Sequence, residues 1–543
     1  MVNFSVKLQT SAVSGLLAQQ AVIATTGNNI ANVNTPGYVR RQAVLENRAG
    51  SSTESIQIGD GVQLGGVRRL ADEYLERLTR ETLTTAEKYD VQNQYLNRIQ
   101  SEFGLTDNDS TIGKAFTNFL TAVDDLSYDP SNIPLRSNFI DRGTDLVNAL
   151  KSTYDAAADI QQEADDALSA EVSGINNITT QIASLNTQIT QAESGGGEAT
   201  DARDTRDILL KDLAGKIGFT SFEDSSGQVT VSLSNGMQLV SGSSSKDLIF
   251  ARAPSFITTP PPSLNGGTLG YLVVNLGSSA APAHVDLTQT LQNSGGKVGG
   301  LLDIRGYNAA SSTTPFQANG YMVQIASRVE AFTERLLTTV NATYFGGDEN
   351  SGVAGNQSTA GDINGTNPAV YGLFSLNTAL TIDADGDGVA ESSDIATLGL
   401  TNYTSYLTFN VSAASNVAAA RDLNATQGAT SFVAGDNQNL VALGTTLRAS
   451  QSFSTGSYSF TGTFSAAYQD MVSYVGNTAL NVGNNKRVAD AQASIAQNNR
   501  DEKSSVSLDE EFATLIQAQR SFSASARLLK VSDELLQQIV QLV

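Results

Sequence analysis

The chain has 543 residues, with 55 acidic against 33 basic side chains and a formal net charge of −22. Cysteine is absent, which excludes disulfides, thiolate metal sites and cysteine nucleophiles, and the charge argues against nucleic-acid binding through a basic surface. The length exceeds one core and predicts about three to five domains; no run of 18 residues is apolar enough to span a bilayer.

Residues 9–39 carry no charged side chain, and Leu8, Ala12, Leu16, Gln20, Ile23 and Ile30 trace one helical face. The polar residues scattered through this start read as mature structure rather than a cleaved signal peptide. Asn28, Asn29, Asn32 and Asn34 then crowd a segment closed by Pro36 and Gly37, so the helix ends there and Tyr38–Gln42 begins an extended piece. Short strands with a turn at Asp60–Gly61 follow. A helix is predicted from near Val67 through Leu70, Tyr74 and Leu78 and on to Leu96, Ile99 and Phe103.

Further helices are predicted at 112–126 and from Arg136 as far as about Glu198. Within the latter, Ile175, Ile178, Ile182, Leu185 and Ile189 keep a coiled-coil-like 3,4,3,4 spacing. The charges of Asp204–Thr205–Arg206–Asp207 read as capping and pinning the start of the next helix. The period then becomes alternating: Val229, Val231 and Leu233 precede Asn235–Gly236, a β-hairpin signal. His284, the one histidine, sits in a later strand and reads as an ordinary strand residue, since no convergent ligands or triad partners accompany it. A helix follows through Met322, Ile325, Val329, Phe332 and Leu336.

Residues 346–435 are rich in Gly, Asn, Thr and Ser and read as an inserted domain of short strands and loops. Inside it, Asp383, Asp385, Asp387, Gly388, Glu391 and Asp394 occupy positions 1, 3, 5, 6, 9 and 12 of a calcium-loop pattern. The closing Asp departs from the helix-loop-helix form and resembles the loops of dockerin-type modules. Two readings stand: a structural calcium held by these carboxylates, or an acidic Asp/Gly turn cluster. No cofactor is otherwise required. Leu440, Leu443 and Leu447 share a face, as do Phe464, Tyr468, Val472 and Val475. The chain closes with Leu508, Phe512, Leu515, Phe522, Leu529, Leu536 and Val540, a helical stripe interrupted at Gln519, Ala526 and Asp533.

"NNIANVNTPGYVRRQ" at 28–42 resembles the N-terminal signature of the bacterial flagellar rod/hook axial protein family. "SSVSLDEEFATLIQAQRSFSASARLLKVSDELLQQI" resembles its C-terminal partner signature, with Ser507 where Asn is common. "IASLNTQI" and "RDILLKDLAGKIG" resemble the central helices of the hook-associated branch. The resemblance implies a multidomain α+β protein. Long terminal and central helices form a coiled-coil-like bundle, and β-rich outer domains are inserted in it. On that reading residues 1–66 and 480–543 form the terminal region, and 67–218, 299–345 and 436–479 the helical body. Residues 219–298 and 346–435 are the outer domains.

The resemblance further implies a non-enzymatic structural subunit joining flagellar hook to filament, exported to the cell exterior without a cleaved signal. Its partners would be copies of itself, the hook protein, a second junction protein, filament subunits, an export chaperone and the export apparatus, with no nucleic acid and no membrane insertion. The implied assembly contacts are Leu16, Ile23, Asn29, Asn32 and Tyr38 at one end and Leu508, Leu515, Gln519, Phe522 and Leu529 at the other. Another axial protein is the nearest alternative. An adhesive or glycan-binding surface protein acting through its β-rich domains is the alternative of a different class. A hydrolase is disfavoured because no nucleophile–base–acid spacing stands out.

Overall fold

The computed structural model describes residues 2–48, 61–103, 111–252, 263–265, 267–277, 283–307, 319–345, 360–361, 373–376, 403–421, 435–456 and 458–542. The fold is α+β, with long helices at both termini packed on each other and small β-sheets inserted between helices of the body. Helix α1 (Val2–Ala31) leads to an antiparallel hairpin of β1 (Arg41–Asn47) and β2 (Val62–Arg69), paired from Arg41 opposite Arg69 to Asn47 opposite Val62 with a register shift between Val44 and Leu45.

Helix α2 (Glu73–Glu102) does not begin near Val67, as its apolar spacing predicts. Val67 pairs with Ala43 inside the hairpin, and the Asp72 carboxylate caps the helix by accepting from the backbone N–H groups of Tyr74 and Leu75. A hydrophobic period cannot separate a strand that runs directly into a helix, whereas the Asp-Glu pair at 72–73 marks the junction.

Helices α3 (Ile112–Tyr128) and α4 (Ile133–Glu193) form the centre of the body. Asn132 caps α4 by accepting from Leu135 N, and Pro134 occupies its first turn. Around them pack α5 (Thr200–Lys216), α6 (Thr288–Ser294), α7 (Gly296–Arg305) and α8 (Tyr321–Arg335). Helix α8 passes through a π turn at Leu336–Val340 into α9 (Asn341–Phe345). Met322, Ile325, Val329, Phe332, Leu336 and Val340 are all fully buried along this run.

Four strands after α5, β3 (Thr220–Glu223), β4 (Val229–Ser232), β5 (Gln238–Ser241) and β6 (Ser244–Ser245), make one sheet in that order. A second sheet contains β7 (Leu248–Arg252), β8 (Gly270–Asn275) and β9 (His284–Asp286). The Asn235–Gly236 hairpin forms, with Gly236 at φ 84°. The evenly spaced isoleucines of α4 meet these strands and α5 rather than another long helix. The Asn186 side chain fixes the contact, donating to Val229 O and Gly242 O while accepting from Val229 N. A 3,4 spacing specifies one narrow apolar face; it does not specify what covers that face.

The described parts of 346–435 are β10 (Ala360–Gly361), β11 (Phe374–Leu376), α10 (Tyr403–Tyr406), β12 (Leu407–Phe409) and β13 (Ala420–Arg421). Phe374 and Phe409 interlock with Phe119 and Phe139 of the helical core at centroid distances of 5.3–6.2 Å. Helix α11 (Gln438–Arg448), the hairpin β14 (Gln451–Thr455)–β15 (Tyr458–Gly462) and α12 (Phe464–Ser504) return the chain to the body, and α13 (Leu508–Leu542) closes it. Helix α12 lies along α2 and runs unbroken through residue 480.

Glu330 of α8 is wholly buried, and the backbone N–H of Thr404 donates to its carboxyl at 3.3 Å. Burial drives this carboxyl well above its ordinary value of 4.5, overriding the bonds from Thr404. A raised folded-state value means that Glu330 contributes fully below the unfolded value. That contribution is lost as pH rises toward the folded one, at up to about 1.4 kcal/mol per pH unit. Glu330→Gln is therefore expected to melt higher than the parent at pH 8, with the gap closing toward pH 4.5. Paired thermal melts across that range check this, and a gap independent of pH would refute it.

Candidate assembly interface

Helices α1 and α13 run antiparallel. Gln9 Nε2 donates to Asp533 Oδ1 at 3.3 Å near one end, and Asn29 Nδ2 donates to Glu511 Oε2 at 3.0 Å near the other. The seam is built differently from the predicted stripes. On α13 its buried positions are Glu511, Ala518 and Ser532, with Ser525 between them at the same seven-residue step and half-buried. On α1 the buried positions are Ala12, Ser14, Ala18, Thr25, Thr26 and Asn29, shared between α13 and the β1–β2 hairpin, which Ser14 meets by accepting from Val62 N at 3.2 Å. A Cβ on Gly15 would stand 3.0 Å from Ser525 Oγ, so the backbones approach closely here. Small residues set the inter-helix distance, and the large aliphatic residues are displaced to its flanks.

The residues singled out from sequence divide accordingly. Asn29 is buried in the seam, and Leu16, Ile23, Leu515 and Leu529 flank it half-buried. Leu508, Gln519 and Phe522 are exposed, as is Gln20. Asn32 closes the end of α1 locally, donating from Nδ2 to Asn28 O at 2.9 Å. Tyr38 hydroxyl donates to Asn29 Oδ1 at 2.8 Å, and the Arg41 backbone N–H donates to the same oxygen at 3.0 Å. Asn29 Nδ2 also lies 2.9 Å from Arg41 O, so one side chain ties helix, exit turn and closing helix together.

Sequence reasoning passed over the two arginines that follow. Arg40 Nε donates to Glu511 Oε1 at 2.7 Å, and Arg40 Nη1 donates to Glu510. Burial lowers its affinity for the proton, but hydrogen bonds to Glu511 and Glu510 raise it above the ordinary value. Its backbone N–H donates to Ser504 O at 2.9 Å, and its carbonyl accepts from Leu70 N at 2.8 Å. The signature "GYVRR" is thereby stapled to the "LDEE" segment.

Arg41 points the other way, to Asp201 and to Asp204 Oδ2 at 3.1 Å. Arg69, nearly buried, holds Asp204 Oδ1 at 2.7 Å and Asp207. Burial raises the Asp204 carboxyl despite the pull of Arg69 and Arg41, yet two guanidiniums on one carboxylate make this an ionised pair. The charges of 204–207 therefore do not cap α5. Its first position follows Ala199, which makes no side-chain cap, and Asp204 and Asp207 sit inside the helix clamping the β1–β2 hairpin. Arg206 is buried against Asn186 Oδ1, Gly227 O and Glu223. The signal for this clamp was present in the sequence as acidic residues at helical spacing, but their partners lie more than 130 positions away.

The outward side of α13 carries Phe512, Ile516, Leu528, Val531 and Leu535, all exposed, and α1 adds Val13 and Leu17. A monomer leaves these large apolar side chains in water along most of a 35-residue helix. No helix among the described residues is long and apolar enough to cross a membrane, and among them no cluster of metal-ligating side chains occurs. The loop of Asp383, Asp385, Asp387, Glu391 and Asp394 lies outside the described residues.

The comparisons with known proteins follow the same division of the chain. The family model described as flagellar hook-associated protein FlgK helical domain matches residues 96–357. Two models bracket it: flagella basal body rod protein at 10–38, and flagellar basal body rod FlgEFG protein C-terminal at 497–542. The chain is 25% identical to flagellar hook-associated protein 1 of Bacillus subtilis, over 97% of this chain and 96% of that protein. It is 24% identical to the protein of that name in Escherichia coli K12, over 98% and 99%. The solved flagellar hook junction protein FlgK from Burkholderia pseudomallei shares the fold, with TM-score 0.56 and 17% identity. That match covers 80% of this chain and all of the other. The terminal signatures, the helical body between them and these full-length relatives agree: the chain belongs to the flagellar hook-associated protein 1 (FlgK) family.

Proposed function

We propose that the protein is a structural subunit of the bacterial flagellum, self-assembling through its terminal helices into the junction between hook and filament. The observation that carries this is the terminal pair. A polar, small-residue seam locks α1 to α13, while the large apolar side chains of α13 face outward, where neighbouring copies cover them. The work is mechanical coupling between two lattices and involves no catalysis. The partners are the hook protein, a second junction protein, filament subunits, an export chaperone and the export apparatus, and the site of action is outside the cell. Projection of 219–298 and 346–435 from the assembly belongs to the same proposal. In cells lacking this protein, electron microscopy is expected to show hooks without filaments; filaments of normal number and length would contradict the junction role.

The alternating carboxylates of 383–394 support a structural calcium in addition. Calorimetric titration of the whole chain with calcium is expected to show binding and a higher melting temperature. Absence of both would retire the ion and leave an acidic turn.

A further inference from the structure

We propose that the cleft between α2 and the free edge of β3 is a docking site for an extended acidic peptide segment of another protein, with Arg80 receiving its carboxylate. This goes beyond the junction role, because the cleft lies on the body, apart from the α1–α13 pair. Strand β3 is hydrogen-bonded to β4 on one side, and among the described residues no strand lies on the other. Two adjoining cavities, of about 480 and 420 Å³, open along that edge, and Arg77, Arg80 and Ser221 line both. The first extends past Tyr74 and Phe222, and the second past Thr84 and Thr220.

Most charges around the cleft are paired internally; among the described lining residues Arg80, Arg77 and Glu73 are not held in a close ion pair. Glu76 is held by Arg500 at 2.7 Å, Glu223 by Arg203 at 2.6 Å and also by Arg206, and Asp207 by Arg69. Arg77 is exposed and only loosely associated with Glu81, at 3.8 Å. Arg80 donates to Ser221 Oγ at 3.3 Å and makes no ion pair among the described residues. Burial lowers its affinity for the proton, outweighing the more distant carboxylates of Asp207, Glu76 and Glu81, none of which pairs with it directly, so a carboxylate placed on it would meet an open demand.

The rim is aromatic: Phe222 is 72% exposed and Tyr74 60% exposed. An edge strand, the Arg80 guanidinium beside it and the exposed Phe222 ring, with Tyr74 beneath the Arg77 guanidinium at 5.7 Å, suit a segment that adds as a strand and lowers a Glu or Asp side chain onto Arg80. A small free anion would satisfy Arg80 but would leave the edge and the aromatic rim unused.

The test uses the full chain and a fluorescein-labelled probe, acetyl-Thr-Glu-Val-Glu-Val-Thr-amide, followed by anisotropy. Saturable binding is expected, weakening at least tenfold when the probe's glutamates become glutamines and at least tenfold in Arg80→Gln. Phe222→Ser is expected to weaken binding several-fold without moving the melting temperature, which separates docking from folding. Absence of saturable binding, equal affinity for the glutamine probe, or binding by both variants at parental strength would overturn the proposal.

Discussion

Glu511→Ala is expected to loosen the terminal helix pair by about 2–4 kcal/mol while leaving the body intact. Glu511 is 2% exposed, and its two oxygens receive Asn29 Nδ2 and Arg40 Nε. Truncation removes one acceptor from each of these side chains at once. Arg40 keeps an exposed partner in Glu510, but Asn29 is buried, and its remaining partners all lie on its own side of the seam. The surrounding seam cannot compensate, because Ala518, Ser525 and Ser532 offer little apolar area. Hydrogen exchange is the measurement. Protection should fall across 2–31 and 508–542 and remain unchanged in α3, α4 and α8. Glu511→Gln, which retains an acceptor but no charge, should show a smaller loss. Unaltered exchange in Glu511→Ala would mean that the pair is held by contacts other than this node.

Much of the architecture was legible because local patterns determine it. The isolated apolar faces of α8 and α11 gave helices whose predicted face residues are buried, and Asn235–Gly236 gave its hairpin. The seam between the termini was not legible in the same way. Periodicity ranks residues by size and hydrophobicity, so it selected Leu508, Phe522 and Phe512; the contact needs residues small enough to let two backbones approach, so it uses Gly15, Ala518 and Ser525. Asn29 was recovered only because its Asn-rich surroundings belong to a recognisable motif. The clamp of Arg41 and Arg69 on Asp204 and Asp207 was misread as helix capping for a related reason. An acidic residue early in a helix has a local explanation, and nothing in one sequence indicates a cation 130 positions earlier.

The same division explains why the outward residues of α13 matter. Ile516 and Val531 lie 15 positions apart, about 60° around the helix, on the side opposite the Glu511–Ser532 seam. They are 50% and 49% exposed, so replacing both with serine removes little that the monomer uses. Surface changes of this kind ordinarily move stability by less than about 0.5 kcal/mol. An assembly in which neighbours bury the half of each side chain still exposed would lose about 1 kcal/mol for each at every contact, which adds up across a ring of copies and is expected to prevent capping.

The direct measurement is electron microscopy of isolated hooks incubated with purified full-length protein, either parent or the Ile516→Ser, Val531→Ser double variant. Thermal melts of both proteins run alongside. Assembly through the terminal helices predicts matching melting temperatures, hooks capped by the parent and hooks left bare by the variant. Capping by the variant at the parental level would contradict it.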